Sequence, residues 1–380
     1  MKRILKNNAV QSLLASLVCI IFGLLIGYIV LLFINPSGAW DAILTVIKNF
    51  FYYPSKPAAL KYFGSTLVKT VPLMLCGLSV LFAYKVGLFN IGAAGQYVAG
   101  AGAALYLALA LNQPWYVCII GAMLAGAMLG AISGALKSYC NVNEVISCIM
   151  LNWISLYVVN MILTTVKETT SPYTFTLAST NPAALIPSLG LGKLFSNNQY
   201  VTIALPIAIL VSIFIWIVLE KTKFGYELRA TGNNKNAAKY CGMNEKRNII
   251  LTMVIAGALA GLGAALLFLT GFEQWQCSQS SVPTMGFNGI AAAFLGGLNP
   301  IGNIFSSYFI QHITNGGAYV DKTMYCAQIS DLISAIIIYL CGFVAFFKYF
   351  INNCIDRSEE RRAHKRSAAS VSDTKEGGNK

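Results

Sequence analysis

The chain has 380 residues, of which 56% are hydrophobic and 11% are charged, and its formal net charge is +13. Soluble domains carry charges on about a quarter of their residues, so the composition and the long apolar runs exclude an ordinary soluble protein, a disordered chain and a coiled coil. The basic residues lie near the N-terminus, in one central segment and at the C-terminal end. This distribution is typical of a topology signal that also attracts anionic lipids, so we expect membrane lipids and no nucleic acid as partners.

Apolar runs of about 20 residues, enough to cross a bilayer, recur along the chain. They predict an all-α polytopic membrane protein with about ten transmembrane helices in one domain over residues 1–350, followed by a basic disordered tail over residues 351–380. The predicted spans are Val10–Ile34, Gly64–Tyr84, Asn90–Leu111, Trp115–Leu136, Asn143–Thr165, Tyr200–Leu219, Ile249–Gly271, Met285–Gly297, Ile301–Tyr319 and Ile329–Phe350. The eighth is short and rich in glycine, and whether it is broken or re-entrant stays open.

The lysines and arginines orient these spans. They are concentrated in residues 1–9, in the central segment 220–248 and in the tail, and cytoplasmic segments carry the excess of basic residues. Both termini are therefore predicted to be cytoplasmic. The long segments 35–63 and 166–199 then face outward, and the composition of the second favours turns over helix. Cys277 and Cys326 also fall in outer loops, and their pairing stays open.

A short internal echo relates two of the predicted spans. Residues Phe89–Ala94 resemble residues Phe287–Ala292, and the predicted topology starts the first copy from inside and the second from outside. An inverted-topology repeat would have this arrangement. Small residues are common in membrane helices, so chance similarity is an equal alternative.

Amide side chains inside the spans are the candidates for contact with a polar solute. The glycine-rich segment Gly87–Gln96 carries Asn90 and Gln96 at the entrance of the third span, where an unwound backbone and two amides would be available to a solute. The same features fit close helix packing with the amides bonded between helices. Asn152 lies about two turns into the fifth span and is expected to face the interior.

Charged groups near the membrane are few. Glu144 is a candidate functional residue because acidic residues in spans are rare. It also stands at a helix N-terminus, where the helix dipole stabilises an acidic side chain. Too few acids are present for a proton relay. The only Gly-Lys pair, Gly192-Lys193, lacks the rest of a phosphate loop, and no cysteine or histidine motif indicates a metal, a cofactor or an enzyme.

The central basic segment predicts a docking element. Asn233 or Asn234 is expected to cap a short helix that ends at Gly242, with Ala237 and Ala238 forming a small, smooth face that would fit a groove on a partner. A solvated basic loop is the alternative.

Four segments together resemble the permeases of the ribose and branched-chain amino acid type of ATP-binding-cassette importers. These segments are Phe89–Gln96, Asn143–Asn152, Arg229–Gly242 and Gly286–Ala291. They look like the family's glycine-rich segment, its N-E-[VI]-I-x-x-[IM]-M-L-N element, its cytoplasmic coupling loop and its G-F-x-x-I-A element. The resemblance runs from about Gly64 to Phe350, and within the family it is similar to permeases of nucleoside or simple-sugar importers.

The resemblance implies a transport subunit in the cytoplasmic membrane that is not itself an enzyme. It implies three partners: an ATP-binding subunit that hydrolyses ATP, a second related permease (a heterodimer is favoured over a homodimer), and an extracytoplasmic solute-binding lipoprotein. The implied solute is a nucleoside, with a simple sugar as the alternative. An ion-coupled secondary transporter is the alternative of another class.

The resemblance also implies roles for individual residues. The expected solute path includes Asn90, Gln96, Asn152, Asn288 and Gln311. The expected coupling surface for the ATP-binding subunit includes Arg229, Gly232, Asn234, Ala237, Ala238 and Gly242.

Overall fold

The computed structural model describes residues 8–321 and scattered positions between 324 and 353, with side chains described from residue 18 onward. Within this part of the chain the fold is helical, and β pairing is limited to two isolated bridges. The helices are α1 (Asn8–Ile34), α2 (Ala39–Lys48), α3 (Lys56–Tyr84), α4 (Ala93–Leu109), α5 (Trp115–Cys140), α6 (Glu144–Leu163), α7 (Ala204–Lys221), α8 (Lys223–Asn233), α9 (Lys235–Tyr240), α10 (Glu245–Phe268), α11 (Met285–Leu295) and α12 (Pro300–Gly316).

Nine of the predicted spans coincide with helices, with differences at their ends. The largest difference is at α3, which begins at Lys56, eight positions before the predicted Gly64, with Pro57 in its first turn. Proline is well tolerated there because the first backbone N–H groups of a helix have no intrahelical partner. Half of the positions of the tenth predicted span fall outside the described residues, as do Cys326 and all of the tail except Asn353.

Residues 35–63, between the first two predicted spans, are not irregular throughout. They contain α2, whose Ala39, Ala42, Ile43 and Val46 are buried. This three-to-four-residue spacing is that of an amphipathic helix packed on one face. By contrast, residues 166–199 contain only single helical turns and short 3₁₀ segments, as their composition predicted.

Five of the described helices, α3, α5, α6 with the turn after it, α7 and α10, are long and apolar enough to cross a membrane. Residues Val18–Ile34, Ala93–Leu109 and Met285–Leu295 form shorter apolar helices. At 1.5 Å per residue, the 11 residues of α11 extend over only about half of a bilayer core. The total of ten spans and the side on which the termini lie stay predictions.

Glycines join α5 and α10 backbone to backbone. A Cβ added at Gly126 would overlap the carbonyl of Gly257, and one added at Gly257 would overlap the carbonyl of Gly126. This glycine-lined contact between α5 and α10, which we call the seam, continues where Gly261 meets Ala122 and where Gly130 meets the carbonyl of Met253. Small residues at this spacing permit the close helix contact that stabilises membrane proteins.

The two copies of the internal echo lie at the beginnings of α4 and α11, and the two helix starts touch. A Cβ at Gly286 would overlap the backbone of Ala94, while Gly289 packs against Cys76 in the middle of α3. Both helices follow non-helical segments, and both start beside α3. This contact positions the polar residues described next, and the inverted repeat stays a prediction.

Candidate functional site

A closed polar cluster lies where the chain enters α4. Asn90 is fully buried, and its Nδ2 donates to Ser79 Oγ of α3 at 2.9 Å and to Gln96 Oε1 at 2.8 Å. Gln96 returns a bond from Nε2 to Asn90 Oδ1 at 3.3 Å. The two amides therefore bond to each other and tie the segment before α4 to α3.

Asn152 of α6 completes this cluster from the other side. Its Oδ1 accepts from the backbone N–H of Gly95 at 2.8 Å, and its Nδ2 donates to the carbonyl of Ile91 at 3.1 Å. A Cβ at Gly95 would lie 2.6 Å from Asn152 Oδ1, so only glycine permits this contact. Asn152 thus binds one of the unpaired N–H groups that every helix start exposes.

A small pocket borders the cluster. It is lined by Gly92, Gly95, Gln96, Leu129, Ser133, Cys148, Leu151 and Asn152. Of the predicted solute-path residues, the structure therefore brings Asn90, Gln96 and Asn152 together. Asn288 lies half-buried on α11, and Gln311 lies on α12 in a different polar group.

That second group, which we call the α12 network, consists of Asn49, Thr66, Gln311, His312 and Asn315. Gln311 Nε2 donates to Asn315 Oδ1 at 2.9 Å, and Asn315 Nδ2 donates to Thr66 Oγ1 at 3.2 Å. Asn49 Nδ2 approaches His312 Nδ1 at 3.1 Å and Thr66 Oγ1 at 3.5 Å. Sequence reasoning missed all but Gln311, and the available signal was a histidine inside an apolar run.

The tautomer of His312 follows from its neighbours. Its Nε2 lies 2.8 Å from the backbone carbonyl of Ile47, which can only accept. Nε2 therefore carries the proton, and Nδ1 accepts from the Asn49 amide. The imidazole fastens the end of α2 to α12.

Glu144 has a structural partner. Its carboxylate forms an ion pair with Lys137 Nζ at 2.7 Å, with the two side chains 17% and 20% exposed. Asn143 caps the same helix start, accepting from the Val145 N–H at 2.9 Å. Of the two interpretations of Glu144, these contacts support the stabilised helix terminus.

The central basic segment folds into α8 and α9. Asn234 caps α9, its Oδ1 accepting from the Ala237 N–H at 3.0 Å, and Gly242 follows the helix at a φ of 79°. Ala237 is exposed, whereas Ala238 is buried, so the two alanines do not form one smooth face. Tyr240, which sequence reasoning missed, is 94% exposed.

The last turn of α8 packs on the segment that connects α3 to α4. A Cβ at Gly232 would lie 2.5 Å from the carbonyl oxygen of Lys85 and 2.8 Å from Val86 Cα. Nearby, Arg229 Nη1 pairs with Glu220 at 2.9 Å. Burial lowers the pKa of Lys85 below its ordinary value, while the Glu220 carboxylate acts in the opposite direction.

The apolar helices pack through glycines, two groups of amide side chains are buried between them, and α8 and α9 form an exposed bend. These features define a polytopic membrane protein. Among the described residues, no group of three His, Cys, Asp or Glu side chains is placed to hold a metal ion. Residues 62–342 match the protein family described as "Branched-chain amino acid transport system / permease component". The chain belongs to this family, and the resemblance inferred from its motifs is confirmed.

Three relatives illustrate this membership. The nucleoside ABC transporter permease protein NupB of Lactococcus lactis is 34% identical, over 88% of this chain and 91% of NupB. The guanosine ABC transporter permease protein NupP of Bacillus subtilis is 32% identical, over 86% of this chain and 92% of NupP. The guanosine ABC transporter permease protein NupQ of the same organism is 29% identical, over 64% of this chain and 78% of NupQ.

Family membership confirms two expectations from the sequence. The chain is a transport component rather than an enzyme, and it is a multi-pass protein of the cell membrane.

Proposed function

We propose that this chain is the permease subunit of an ATP-driven importer that carries nucleosides across the cytoplasmic membrane. The observation that carries the proposal is its similarity to NupB and NupP over nine-tenths of their length. The buried polar groups fit this solute, since the amides and hydroxyls of both clusters suit a neutral molecule with hydrogen-bonding edges. A simple sugar is the second candidate, because a glucose ABC transporter permease protein of Haloferax volcanii is 29% identical to this chain.

In this proposal the protein works as part of an assembly. A solute-binding lipoprotein delivers the nucleoside outside, an ATP-binding subunit acts on the inner face, and a related second permease completes the membrane core. A heterodimeric core is favoured, since two different Bacillus subtilis permease proteins are both similar to this chain. We further propose about ten spans with both termini in the cytoplasm.

The proposed solute path runs past the cluster at the start of α4. Here Gln96 and Asn152 border a pocket, and Asn90 holds the entering segment against Ser79. Because these amides are bonded to the chain itself in this conformation, a solute would reach them only when α4 moves relative to α6. Asn288 and Gln311 are proposed to contact the solute elsewhere along the path.

Deletion of the gene is expected to abolish high-affinity nucleoside uptake. The measurement is the initial uptake of radiolabelled guanosine, with unlabelled nucleosides, ribose and branched-chain amino acids as competitors, in deleted and complemented cells. Competition by nucleosides alone supports the proposal. Loss of sugar or amino-acid uptake with unchanged guanosine uptake would keep the family and refute the solute. Uptake that is driven by an ion gradient in liposomes holding this chain alone would instead favour a secondary transporter.

The proposed coupling surface is α8 and α9, with Arg229, Gly232, Asn234, Ala237, Ala238 and Gly242. Its most prominent feature is Tyr240, whose exposed ring stands at the end of a helix capped at both ends. Exposed aromatic side chains of this kind commonly act as anchors in partner pockets.

Replacing Tyr240 with alanine is expected to weaken binding of the ATP-binding subunit by roughly 30-fold, which corresponds to about 2 kcal/mol for an anchor residue. The measurement is the affinity of the purified subunit for the permease in lipid nanodiscs. Tyr116→Ala is the matched control, since Tyr116 is also exposed but lies at the start of α5, outside the proposed coupling surface. Equal affinities for both variants would place the docking site elsewhere.

A further inference from the structure

We propose that the α12 network, together with the Ser307 hydroxyl, is a solute-binding station of the transport path and recognises a neutral planar solute with hydrogen-bond donors. This inference rests on the proposed function and deepens it. Nucleosides belong to this chemical class, whereas amino acids, which carry a carboxylate and an ammonium group, do not.

The first support is that the network contains buried polar atoms without partners. Asn49 and Ser307 are both fully buried, and within the part of the chain that the structure describes Asn49 Oδ1 and Ser307 Oγ have no hydrogen-bond partner. Leaving a buried polar atom unpaired costs about 1–3 kcal/mol, so each such atom in a native protein calls for an explanation. A solute that donates to these two oxygens would remove the cost.

The second support is placement. Ser307 precedes Gln311 by four positions, so the two side chains lie on the same face of α12. The network extends from there through Asn315 and Thr66 to Asn49. Asn49 Oδ1 therefore belongs to a member of the network, and Ser307 stands one helical turn from Gln311 on the same face of α12.

A third unpaired oxygen nearby has a different explanation. Asn303 Oδ1 is also without a hydrogen-bond partner, but a Cβ added at Gly77 would overlap it. This oxygen therefore rests against the α3 backbone, where a Cα–H contact offers weak compensation, and Asn303 Nδ2 donates to the Met74 carbonyl at 2.8 Å. Asn303 serves helix packing and is not part of the station.

The third support is the chemistry of the network. Its members are three amides, a hydroxyl and an imidazole, and none of them is a carboxylate or an ammonium group. Aromatic rings stand beside it: Phe50 is edge-on to His312 at 5.6 Å, and Tyr308 lies at 5.8 Å. Amide side chains can form hydrogen bonds with the polar edge of a nucleobase, and aromatic rings can pack against its face. The network has no carboxylate or ammonium group that would pair with the charges of a zwitterion.

The contrast with the cluster at α4 supports the same assignment. There the hydrogen bonds of Asn90, Gln96 and Asn152 go to one another, to the Ser79 hydroxyl and to the backbone. In the α12 network and at Ser307, one oxygen each has no partner among the described residues, so a donor could bond to either oxygen without replacing an existing hydrogen bond.

Two adjacent serines make the test specific. Ser307 Oγ has no partner among the described residues, so Ser307→Ala should remove no hydrogen bond from the protein without solute and should leave its Tm unchanged or raised. Ser306 Oγ donates to the Ala292 carbonyl at 2.6 Å, so Ser306→Ala should lower the Tm. Both substitutions remove one hydroxyl from the same turn of α12.

Cells deleted for the gene are complemented with each variant, and initial uptake is measured at saturating radiolabelled guanosine, normalised to permease in the membrane. Tm is measured on the purified proteins. We expect Ser307→Ala to reduce uptake about tenfold, the size of one lost hydrogen bond, and Ser306→Ala to stay within twofold of wild type.

Each result separates the two proposals. Uptake by Ser307→Ala within twofold of wild type, with unchanged Tm, would overturn the solute station and leave the proposed function intact. A lowered Tm for Ser307→Ala, matching Ser306→Ala, would also overturn it, because the hydroxyl would then be structural. Failure of the wild-type gene to restore guanosine uptake would refute the proposed function itself.

Discussion

The Gly126→Val substitution is expected to reduce folded permease in the membrane by more than tenfold. A Cβ at Gly126 already overlaps the backbone carbonyl of Gly257 and approaches Gly261 Cα at 3.1 Å. Because the obstacle is backbone on a neighbouring helix rather than a flexible side chain, the seam between α5 and α10 must open. Overpacking of a tight core costs about 3 kcal/mol or occasionally more, which is a large share of the stability of a typical protein.

The measurement is the amount of monodisperse permease extracted from membranes in mild detergent. Met128→Val is the matched control, because Met128 lies two positions further along α5 and is 62% exposed. It introduces the same side chain on the opposite face of the helix and should leave the yield near wild type. Equal yields for both variants would contradict the proposed role of the seam in folding.

Length and polarity explain which parts of this fold the sequence could predict. The spans were predictable because a lipid-embedded helix needs a long apolar run, a strong signal even without a partner. α2 was missed because its 10 residues are too few for a span and because Asp41 and Lys48 interrupt its apolar residues. The start of α3 was missed for a similar reason, since Lys56 and Lys61 precede the apolar stretch.

The polar clusters show a different limit. Asn90, Gln96 and Asn152 were selected because glycine-rich surroundings marked them, and the structure does bring them together. Asn49 and His312 are 263 positions apart, and neither residue alone indicates the other. Whether an amide is bonded or unpaired is a property of the packed helices, so the unpaired oxygens could not be predicted from residue types.

The structure places the two copies of the internal echo next to each other, a contact that could not be predicted from the sequence. Six similar residues are weak evidence alone, but Gly286 meets Ala94 at the starts of α11 and α4. Two helices that begin side by side beside α3 would share any movement of that region. The segment before α4 is therefore the point at which a displacement on the α8 side would reach both helix starts.

This arrangement leads to the second large expected effect: Gly232→Val should uncouple transport from ATP hydrolysis. The added side chain would meet the Lys85 carbonyl and Val86 Cα, both backbone atoms, and α8 would be displaced from the segment between α3 and α4. Thr231 beside it is fully buried and accepts from Asn248 Nδ2 of α10 at 2.9 Å, so α8 has little freedom to adjust elsewhere.

The chain of contacts continues inward from Val86. Val86 and Leu88 are buried, and the segment ends at Asn90, whose amide bonds to Ser79 and Gln96. A segment held at both ends transmits displacement, because neither end can move without straining the other. Gly232 therefore occupies the contact at which movement of α8 and α9 would be passed to the start of α4.

The measurement is guanosine transport and ATP hydrolysis by the complete importer in proteoliposomes. For Gly232→Val we expect ATP hydrolysis to persist while transport per ATP falls about tenfold or more, equivalent to at least about 1.4 kcal/mol of lost coupling. Asn233→Val is the control, since the neighbouring Asn233 is exposed and should couple normally. Loss of ATP hydrolysis together with transport would instead indicate a docking defect, and normal transport per ATP would exclude this contact from the coupling route.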